Sequence, residues 1–214
     1  RILEVEEFDG MLIFVRTKSA TSEVAEKLEA RGFSAAPLNG DLSQTLRERT
    51  VSRLKKGQVD IVVATDVAAR GLDVERISHV INYDIPYDNE AYVHRIGRTG
   101  RAGREGKAIL FVAPKENRLL HSIEKSTKQK ITLMGLPTGD QVSGQRIQQF
   151  QERVLQSLEI KDLERFKELL QKMCEDNNIS MSDIAAGLAS QLQQERPLFP
   201  NLQPIESKFN ESQS

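Results

Sequence analysis

Apolar runs alternate with amphipathic stretches along residues 11–126. The short apolar runs predict buried strands, because strands covered on both faces are almost continuously apolar. In chain order they are Met11–Val15, Ser34–Leu38, Val59–Ala64, His79–Tyr83 and Lys107–Val112. Apolar residues at helical spacing predict helices over Thr21–Arg31, Leu42–Lys56, Asp88–Ile96 and Lys115–Ser126. This alternation with short links predicts an α/β domain with a parallel sheet, helices on both faces and functional residues at the carboxyl ends of the strands.

The pattern changes after about residue 130, and the predicted first domain, 1–130, ends there. Residues 131–144 contain Pro137 and glycines, which predict a linker. Residues 145–195 are helical in pattern throughout and predict a small all-α domain, with Ser180 and Asp183 placed as a capping box. Residues 196–214 contain prolines and polar residues and predict a flexible tail.

Three helices in about fifty residues bury little surface alone, so the apolar stripes of this domain need a partner surface. A second copy of the chain is the simplest partner, because an isologous pair covers both stripes. Docking onto the sheet domain of the same chain is the alternative. The residues predicted to form the dimer contact are Ile147, Phe150, Val154, Leu158, Leu163, Phe166, Leu170 and Leu188.

Composition narrows the function classes. Net charge is −1, so a nucleic-acid site would have to be a local patch. The single cysteine, Cys174, excludes a cysteine metal cluster, and the three histidines show no ligand spacing, so we predict no metal site built by this chain. The sequence contains neither an apolar run long enough to span a membrane nor a signal peptide, which predicts a cytoplasmic location.

Two motifs carry the candidate chemistry. The run His94–Arg101 holds Arg95, Arg98 and Arg101 at three-residue spacing with glycines between them. Guanidinium groups bind phosphate oxygens, and glycine lets the backbone approach a ligand, so this run predicts phosphate binding. The run Ala64–Asp73 directly follows a predicted strand, where an α/β fold places its site.

Together these two motifs resemble the last two motifs of the DEAD-box RNA helicases, and the sequence as a whole most resembles the bacterial cold-shock members. The resemblance covers roughly residues 8–130 and implies a RecA-like sheet domain. It implies that Arg98 and Arg101 act as arginine fingers and that His94 links the nucleotide site to the opposite domain. It also places Gly71 and Asp73 at the ATP ribose and Thr65 at an RNA phosphate.

Two shorter elements add to the resemblance. The run Phe14–Lys18 resembles a third helicase motif, with Thr17 as a phosphate contact. Gly40 and Asp41, followed by Gln44 and Arg47, resemble the family element that binds RNA phosphates, and the last two share a helix face. Many family members carry His where this chain has Asn39. The apparent half P-loop at Gly103–Lys107 lacks the required glycine and Ser or Thr, so it predicts no phosphate loop.

The resemblance also implies what lies outside the chain. The phosphate loop, the Asp-Glu-Ala-Asp box and the Ser-Ala-Thr motif belong to a first RecA-like domain, so the chain would be the C-terminal part of such an enzyme and would hydrolyse no ATP alone. ATP with Mg²⁺ is the implied cofactor, with the Mg²⁺ ligands in that domain. Implied partners are that domain, single-stranded and short duplex RNA bound without sequence preference, a second copy, and ribosome or degradosome components.

Two other function classes remain open, and a third is excluded. A dimeric RNA-binding scaffold without an ATPase role is the main alternative, and an intact upstream phosphate loop would decide against it. A DNA translocase of a related family is a second alternative, but the residues of the two motifs resemble the RNA-directed enzymes more closely. A nucleotide-binding oxidoreductase is excluded by the missing Gly-x-Gly-x-x-Gly.

Overall fold

The structure is a computed structural model that describes residues 1–101, 103–193 and 197–203. It divides into two compact units. One contains residues 7–134, and the other contains residues 1–6 together with the described residues from 135 onward. The predicted domain 1–130 therefore differs at its start, because residues 1–6 pack with the second unit. Among the described helices, none is both long and apolar enough to cross a lipid bilayer.

The first unit contains a parallel sheet of five strands. The strands are β1 (Gly10–Phe14), β2 (Ala35–Leu38), β3 (Ile61–Ala64), β4 (Ile77–Asn82) and β5 (Lys107–Leu110), in the spatial order β2-β3-β1-β4-β5. All described pairings are parallel. Every residue of β1 and β3 is buried, as continuous apolar strands at the centre of such a sheet require. The predicted α/β class with a parallel sheet is confirmed.

Helices connect and flank these strands. Following the short α1 (Ile2–Val5) of the second unit, they are α2 (Lys18–Glu29), α3 (Gln44–Lys55), α4 (Asp66–Ala69), α5 (Asn89–Ile96), a 3₁₀ turn at Pro114–Glu116 and α6 (Asn117–Thr127). Helix α2 begins three residues before its predicted start, because Thr17 caps it by accepting from the amide of Ala20. Helix α4 was not predicted, since four residues give no periodic signal.

The second unit contains α1 and three longer helices, α7 (Gly139–Ser157), α8 (Leu163–Asn177) and α9 (Met181–Leu192). Helix α7 starts before the end of the predicted linker, 131–144, which is therefore shorter than expected. The physical reason is a capping box, in which Thr138 and Gln141 bond each other's backbone amides at 3.2 and 2.9 Å. The predicted capping box of Ser180 and Asp183 is present at the start of α9.

Part of the predicted flexible tail is bonded to α7. Ser143 Oγ donates to the carbonyl of Leu198 at 2.8 Å, and Arg146 Nη1 donates to the carbonyl of Pro197 at 2.6 Å. Residues 197–203 therefore differ from the prediction of a mobile tail, because side chains of α7 satisfy their backbone. The remainder of that tail, residues 196 and 204–214, lies outside the described residues.

Candidate functional site

Three loops that the sequence singles out leave the sheet at one edge. In the parallel register, Phe14 and Leu38 each lie beside Ala64, so β1, β2 and β3 end at the same level. Neighbouring strands are about 4.8 Å apart, which places the starts of the three loops within about 10 Å of one another. The loops carry Thr17, the Gly40 turn and Thr65, so the predicted RNA-contacting residues share the carboxyl edge of the sheet.

Each of the two threonines is the N-cap residue of the helix that follows its strand. Thr17 precedes α2, and its Oγ1 accepts from the amide of Ala20 at 3.2 Å. Thr65 precedes α4, is 9% exposed, and does not cap α4 with its side chain. Hydroxyls and backbone amides in such positions bind phosphate oxygens without identifying the base. Both threonines therefore lie at the carboxyl edge of the sheet, and Thr65 is largely buried there.

The Gly40–Asp41 turn is held from below by a buried amide. Asn39 is 6% exposed, its Nδ2 donates to Thr21 Oγ1 at 2.7 Å, and its Oδ1 accepts from the amide of Asp41 at 3.0 Å. The residue that departs from the family pattern thus supports the turn. The carboxylate of Asp41 accepts from Lys18 Nζ, and both side chains are largely exposed. Lys18 is a cation beside the turn that the sequence analysis did not include in the site.

Gln44 and Arg47 line one groove of about 330 Å³ between α3 and residues 68–72, and its lining also includes Val51 and Gly71. Gln44 Nε2 donates to Glu48 Oε1 at 2.7 Å. Arg47 Nη2 donates to the carbonyl of Ala68 at 3.4 Å, while its Nε is buried without a hydrogen-bond partner among the described residues. The groove therefore connects the Gln44 element to the loop after α4.

That loop contains the residues expected at the ribose. Gly71 has φ +72°, a left-handed conformation that favours glycine, so the turn depends on this residue type. Asp73 follows with its side chain 73% exposed, and its carboxylate accepts from Arg101 Nη1. A carboxylate beside a glycine turn is suited to accepting hydrogen bonds from hydroxyl groups.

The three arginines of the run His94–Arg101 do not act alike. Arg95 lies on the buried face of α5 and is 4% exposed. Its Nε and Nη2 donate to the two carboxylate oxygens of Asp66 at 2.6 and 2.8 Å. Its Nη1 donates to Asn82 Oδ1 at 3.1 Å and to the carbonyl of Asp84 at 2.7 Å. Its guanidinium lies 5.1 Å from the centre of the Phe14 ring. The sequence predicted phosphate binding for the run without separating its arginines, whereas Arg95 is buried in these contacts and holds α5 against Asp66 at the start of α4.

Arg98 and Arg101 follow the end of α5 and turn toward the loop of Gly71 and Asp73. Arg98 Nη1 donates to the carbonyl of Leu72 at 3.0 Å, and Arg101 Nε donates to the carbonyl of Gly97 at 2.9 Å. Burial lowers the pKa of Arg98, the charge of Arg101 lowers it further, and Asp73 opposes both effects. A guanidinium still keeps its proton in a protein, so two adjacent cations face this loop.

His94 completes this side of the site. It is exposed, and its Nε2 lies 3.9 Å from Glu90 Oε1. His94, Gly71, Arg98 and Asp66 line one pocket of about 360 Å³. The structure thus brings three of the predicted nucleotide-site residues into a single pocket and pairs the other two, Asp73 with Arg101. Among the described residues, no three His, Cys, Asp or Glu side chains are grouped to hold a metal ion.

Sequence reasoning missed the residues that organise the site. Asp66 and Arg95 stand 29 residues apart, and spacing gives no sign that they meet. The only signal available was their presence inside the two motifs. Asn39 was noted as a departure from the family, but its buried contacts with Thr21 and Asp41 depend on the tertiary fold.

Comparisons with known proteins assign both parts of the chain to known domain types. Residues 1–103 match the helicase conserved C-terminal domain, and residues 137–203 match the RNA helicase DeaD dimerization domain. The chain is 54% identical over 191 residues to the ATP-dependent RNA helicase DeaD of Mycobacterium tuberculosis, covering 89% of this chain and 34% of that protein. The chain thus spans about a third of the length of the curated relatives it matches.

Two solved structures are similar to about two thirds of this chain. The DEAD-box protein SrmB of E. coli, bound to the regulator of ribonuclease activity A, is 37% identical with a TM-score of 0.61, over 66% of this chain and 81% of that one. S. cerevisiae Dbp5, bound to RNA and ADP BeF3, is 36% identical with a TM-score of 0.57, over 65% of this chain and 37% of that one. The chain therefore belongs to the DEAD-box RNA helicase family and joins the C-terminal helicase domain of that family to a dimerization domain of the DeaD type.

Proposed function

We propose that this chain is the C-terminal part of an ATP-dependent RNA helicase that unwinds short RNA duplexes and remodels RNA or RNA–protein particles. The observation that carries the proposal is the convergence of Arg98 and Arg101 on the loop of Gly71 and Asp73. Two cations lie beside the carboxylate of Asp73, a group suited to accept from ribose hydroxyls, and this grouping supports a nucleotide site. A first RecA-like domain would close over this grouping and complete the site.

In this proposal Arg98 and Arg101 act on the γ-phosphate of ATP. Charge is spread over the phosphate oxygens as the phosphoryl group transfers, and preorganised guanidinium groups stabilise it. Gly71 and Asp73 bind the ribose, and His94 relays closure of the opposite domain to the pocket. The ion pair of Arg101 with Asp73 holds these two side chains together before nucleotide arrives.

The RNA surface lies along the carboxyl edge. Thr17, Gly40, Asp41 and Thr65 contact the sugar-phosphate backbone there, and Gln44 and Arg47 extend this surface along α3. Contacts of this type position a strand without selecting its bases, so unwinding would be independent of sequence. The related Dbp5 was solved with RNA and ADP BeF3, which supports a shared RNA and nucleotide role for this domain type.

The helical unit would join two copies of the chain. Helix α8 has no buried residue in the described structure, and Val154, Leu158, Phe166 and Leu188 are 38–53% exposed. Exposed apolar side chains in such number mark an interaction surface. The other predicted contact residues, Ile147, Phe150, Leu163 and Leu170, are half-buried. A second copy is favoured over docking in cis because the matched domain is named for dimerization.

The remaining expectations follow from the family. ATP would enter with Mg²⁺, whose protein ligands we place in the first RecA-like domain. The cytoplasm is the proposed location, cold shock is the proposed setting, and ribosome or degradosome components are the proposed protein partners.

Unwinding of a short RNA duplex tests the proposal. The parent protein that carries this chain should separate the duplex only with ATP, and replacing both Arg98 and Arg101 by alanine should abolish separation while RNA remains bound. Unwinding that persists in the double variant, or that needs no ATP, would contradict the proposal. RNA binding without any unwinding would favour the scaffold alternative.

A further inference from the structure

The exposed aromatic side chains of the sheet unit lie together at one edge of the sheet. Among the described residues of this unit, the exposed tyrosines and phenylalanines are Tyr83, Tyr87 and Phe111. Tyr83 directly follows β4, Phe111 directly follows β5, and Tyr87 lies in the loop between β4 and α5. Aromatic rings stabilise a fold most when they are buried, so three that remain exposed at one edge mark an interaction surface.

This edge is continuous with the surface proposed to bind RNA. Strands β1 and β4 end at the same level, because Phe14 pairs with Asn82 in the parallel register. The loops that follow are joined, since the amide of Arg16 donates to Asp84 Oδ2 at 2.7 Å. Arg16 directly precedes Thr17, the proposed phosphate contact. Neighbouring strands are about 4.8 Å apart, so the ends of β4 and β5 lie within about 10 Å of the end of β1.

Arg16 packs on one face of the Tyr87 ring. Its guanidinium carbon lies 4.4 Å from the ring centre, which is a cation–π contact. The guanidinium is itself held, since Nη2 donates to the carbonyl of Ile85 at 3.4 Å and lies 4.0 Å from Glu116 Oε1. Tyr87 is nevertheless 70% exposed, so the opposite face of its ring is open to solvent. A ring ordered in this way loses little conformational freedom when a flat group stacks on its open face.

A nucleic-acid base is the flat group that this arrangement fits best. Bases of single-stranded RNA stack on tyrosine rings and arginine planes, and every base presents such a face, so the contact is independent of sequence. The charge of Arg16 favours a polyanion over an apolar peptide. The two carboxylates of the loop are engaged by backbone amides, because Asp84 accepts from Arg16 and Asp88 accepts from Ala91 at 2.7 Å.

We propose that Tyr87, backed by Arg16, stacks on a base of the RNA strand whose backbone is bound at Thr17. Tyr83 and Phe111 continue the same surface along the ends of β4 and β5, where their ring centres lie 5.7 Å apart. A base already stacked within a duplex cannot make this contact, so it favours the single strand over the duplex. The inference rests on the proposed function, because it adds a base contact to the backbone contacts of that RNA surface.

Two strands of about ten nucleotides separate the base contact from the backbone contacts. One is a uridine strand, and the other keeps the same sugar-phosphate chain but lacks its bases. Fluorescence anisotropy measures the affinity of the parent protein for each strand. We expect Tyr87→Ala to weaken binding of the uridine strand by about tenfold and to leave binding of the baseless strand unchanged.

Two further variants are the controls. Tyr87→Phe keeps the ring and should bind both strands as the wild type does. Leu133→Ala removes another exposed apolar side chain of the sheet unit and should also leave both affinities unchanged. Tyr87 itself is exposed, so its replacement by alanine should leave the fold intact.

An equal loss for both strands in Tyr87→Ala, or no loss for either, would overturn the inference. The first result would assign the ring to a contact with protein, such as the opposite RecA-like domain. In both cases, unwinding by the wild type would leave the proposed function standing. A wild-type protein that binds neither strand would instead remove the proposed function, and the base contact with it.

Discussion

Arg95 and Asp66 form a bidentate ion pair that joins α5 to the start of α4, with the arginine side chain 5% exposed and the carboxylate side chain 44% exposed. Asp66 belongs to one of the two family motifs and Arg95 to the other, so this ion pair fixes the position of one motif against the other. Arg98 and Arg101 owe their approach to the loop of Gly71 and Asp73 to this anchor one turn earlier.

Loss of Asp66 should therefore destabilise the sheet unit. Asp66→Ala leaves a buried guanidinium without its counter-charge, which costs about 3 kcal/mol. Asp73→Ala is the matched control, because its ion pair with Arg101 is exposed and contributes less than about 1 kcal/mol. Denaturant unfolding followed by tyrosine fluorescence measures the sheet unit alone, since all three tyrosines lie within residues 7–134. Equal losses in the free energy of unfolding for Asp66→Ala and Asp73→Ala would contradict the claim that the buried pair stabilises the unit more than the exposed pair.

The turn at Gly71 should tolerate no side chain without strain. A Cβ there would meet no atom within 4 Å, so the cost of Gly71→Ala is conformational and amounts to about 1 kcal/mol. Gly40→Ala is the control, since Gly40 lacks a positive φ and its Cβ would make only ordinary contact with Lys18. The same unfolding measurement compares the two. A neutral Gly71→Ala would mean that the left-handed turn is not required.

Arg47 should bind RNA phosphate in addition to the carbonyl of Ala68. Arg47→Ala should weaken RNA binding by the parent protein equally for different sequences and reduce the slope of log affinity against log salt by about 1. Arg49→Ala removes the same charge from an exposed position on the same helix and serves as the control. Affinity measured at several salt concentrations gives the slope. An unchanged slope would assign Arg47 a purely structural role.

Much of this architecture follows from the sequence, and the exceptions share a cause. Buried strands such as β1 and β3 were predictable, because a short run of apolar residues in this alternating pattern indicates a strand covered on both faces. The different roles of Arg95 and Arg98 were not predictable. Both arginines belong to one periodic run, and only the tertiary contact of Arg95 with Asp66 distinguishes them. Residues 1–6 show the same limit, since four helical residues give no pattern and their assignment depends on Arg146, 142 residues away from Glu4.

Dimerisation should depend on the exposed apolar residues of the helical unit. Leu158→Asp and Phe166→Asp place a charge on side chains that are 53% and 52% exposed, so folding should survive while a contact between copies is lost. Leu133→Asp changes a leucine of 58% exposure in the sheet unit and is the control. Light scattering over a concentration series should show monomers for the first two variants and a dimer for the control. A wild-type chain that is monomeric at every concentration would contradict the dimer.

The most direct test of the central proposal is the turnover number of RNA-stimulated ATP hydrolysis in the parent protein. Arg98→Ala should lower kcat by about 10³-fold or more with little change in RNA affinity, because the lost guanidinium stabilises charge that appears only in the transition state. Arg104→Ala is the control, since Arg104 bonds to Asp9 and the carbonyl of Glu75 and does not line the pocket that contains His94 and Arg98. The 214-residue chain alone should show no turnover. Equal kcat values for the Arg98 and Arg104 variants would contradict the assignment of Arg98 as an arginine finger.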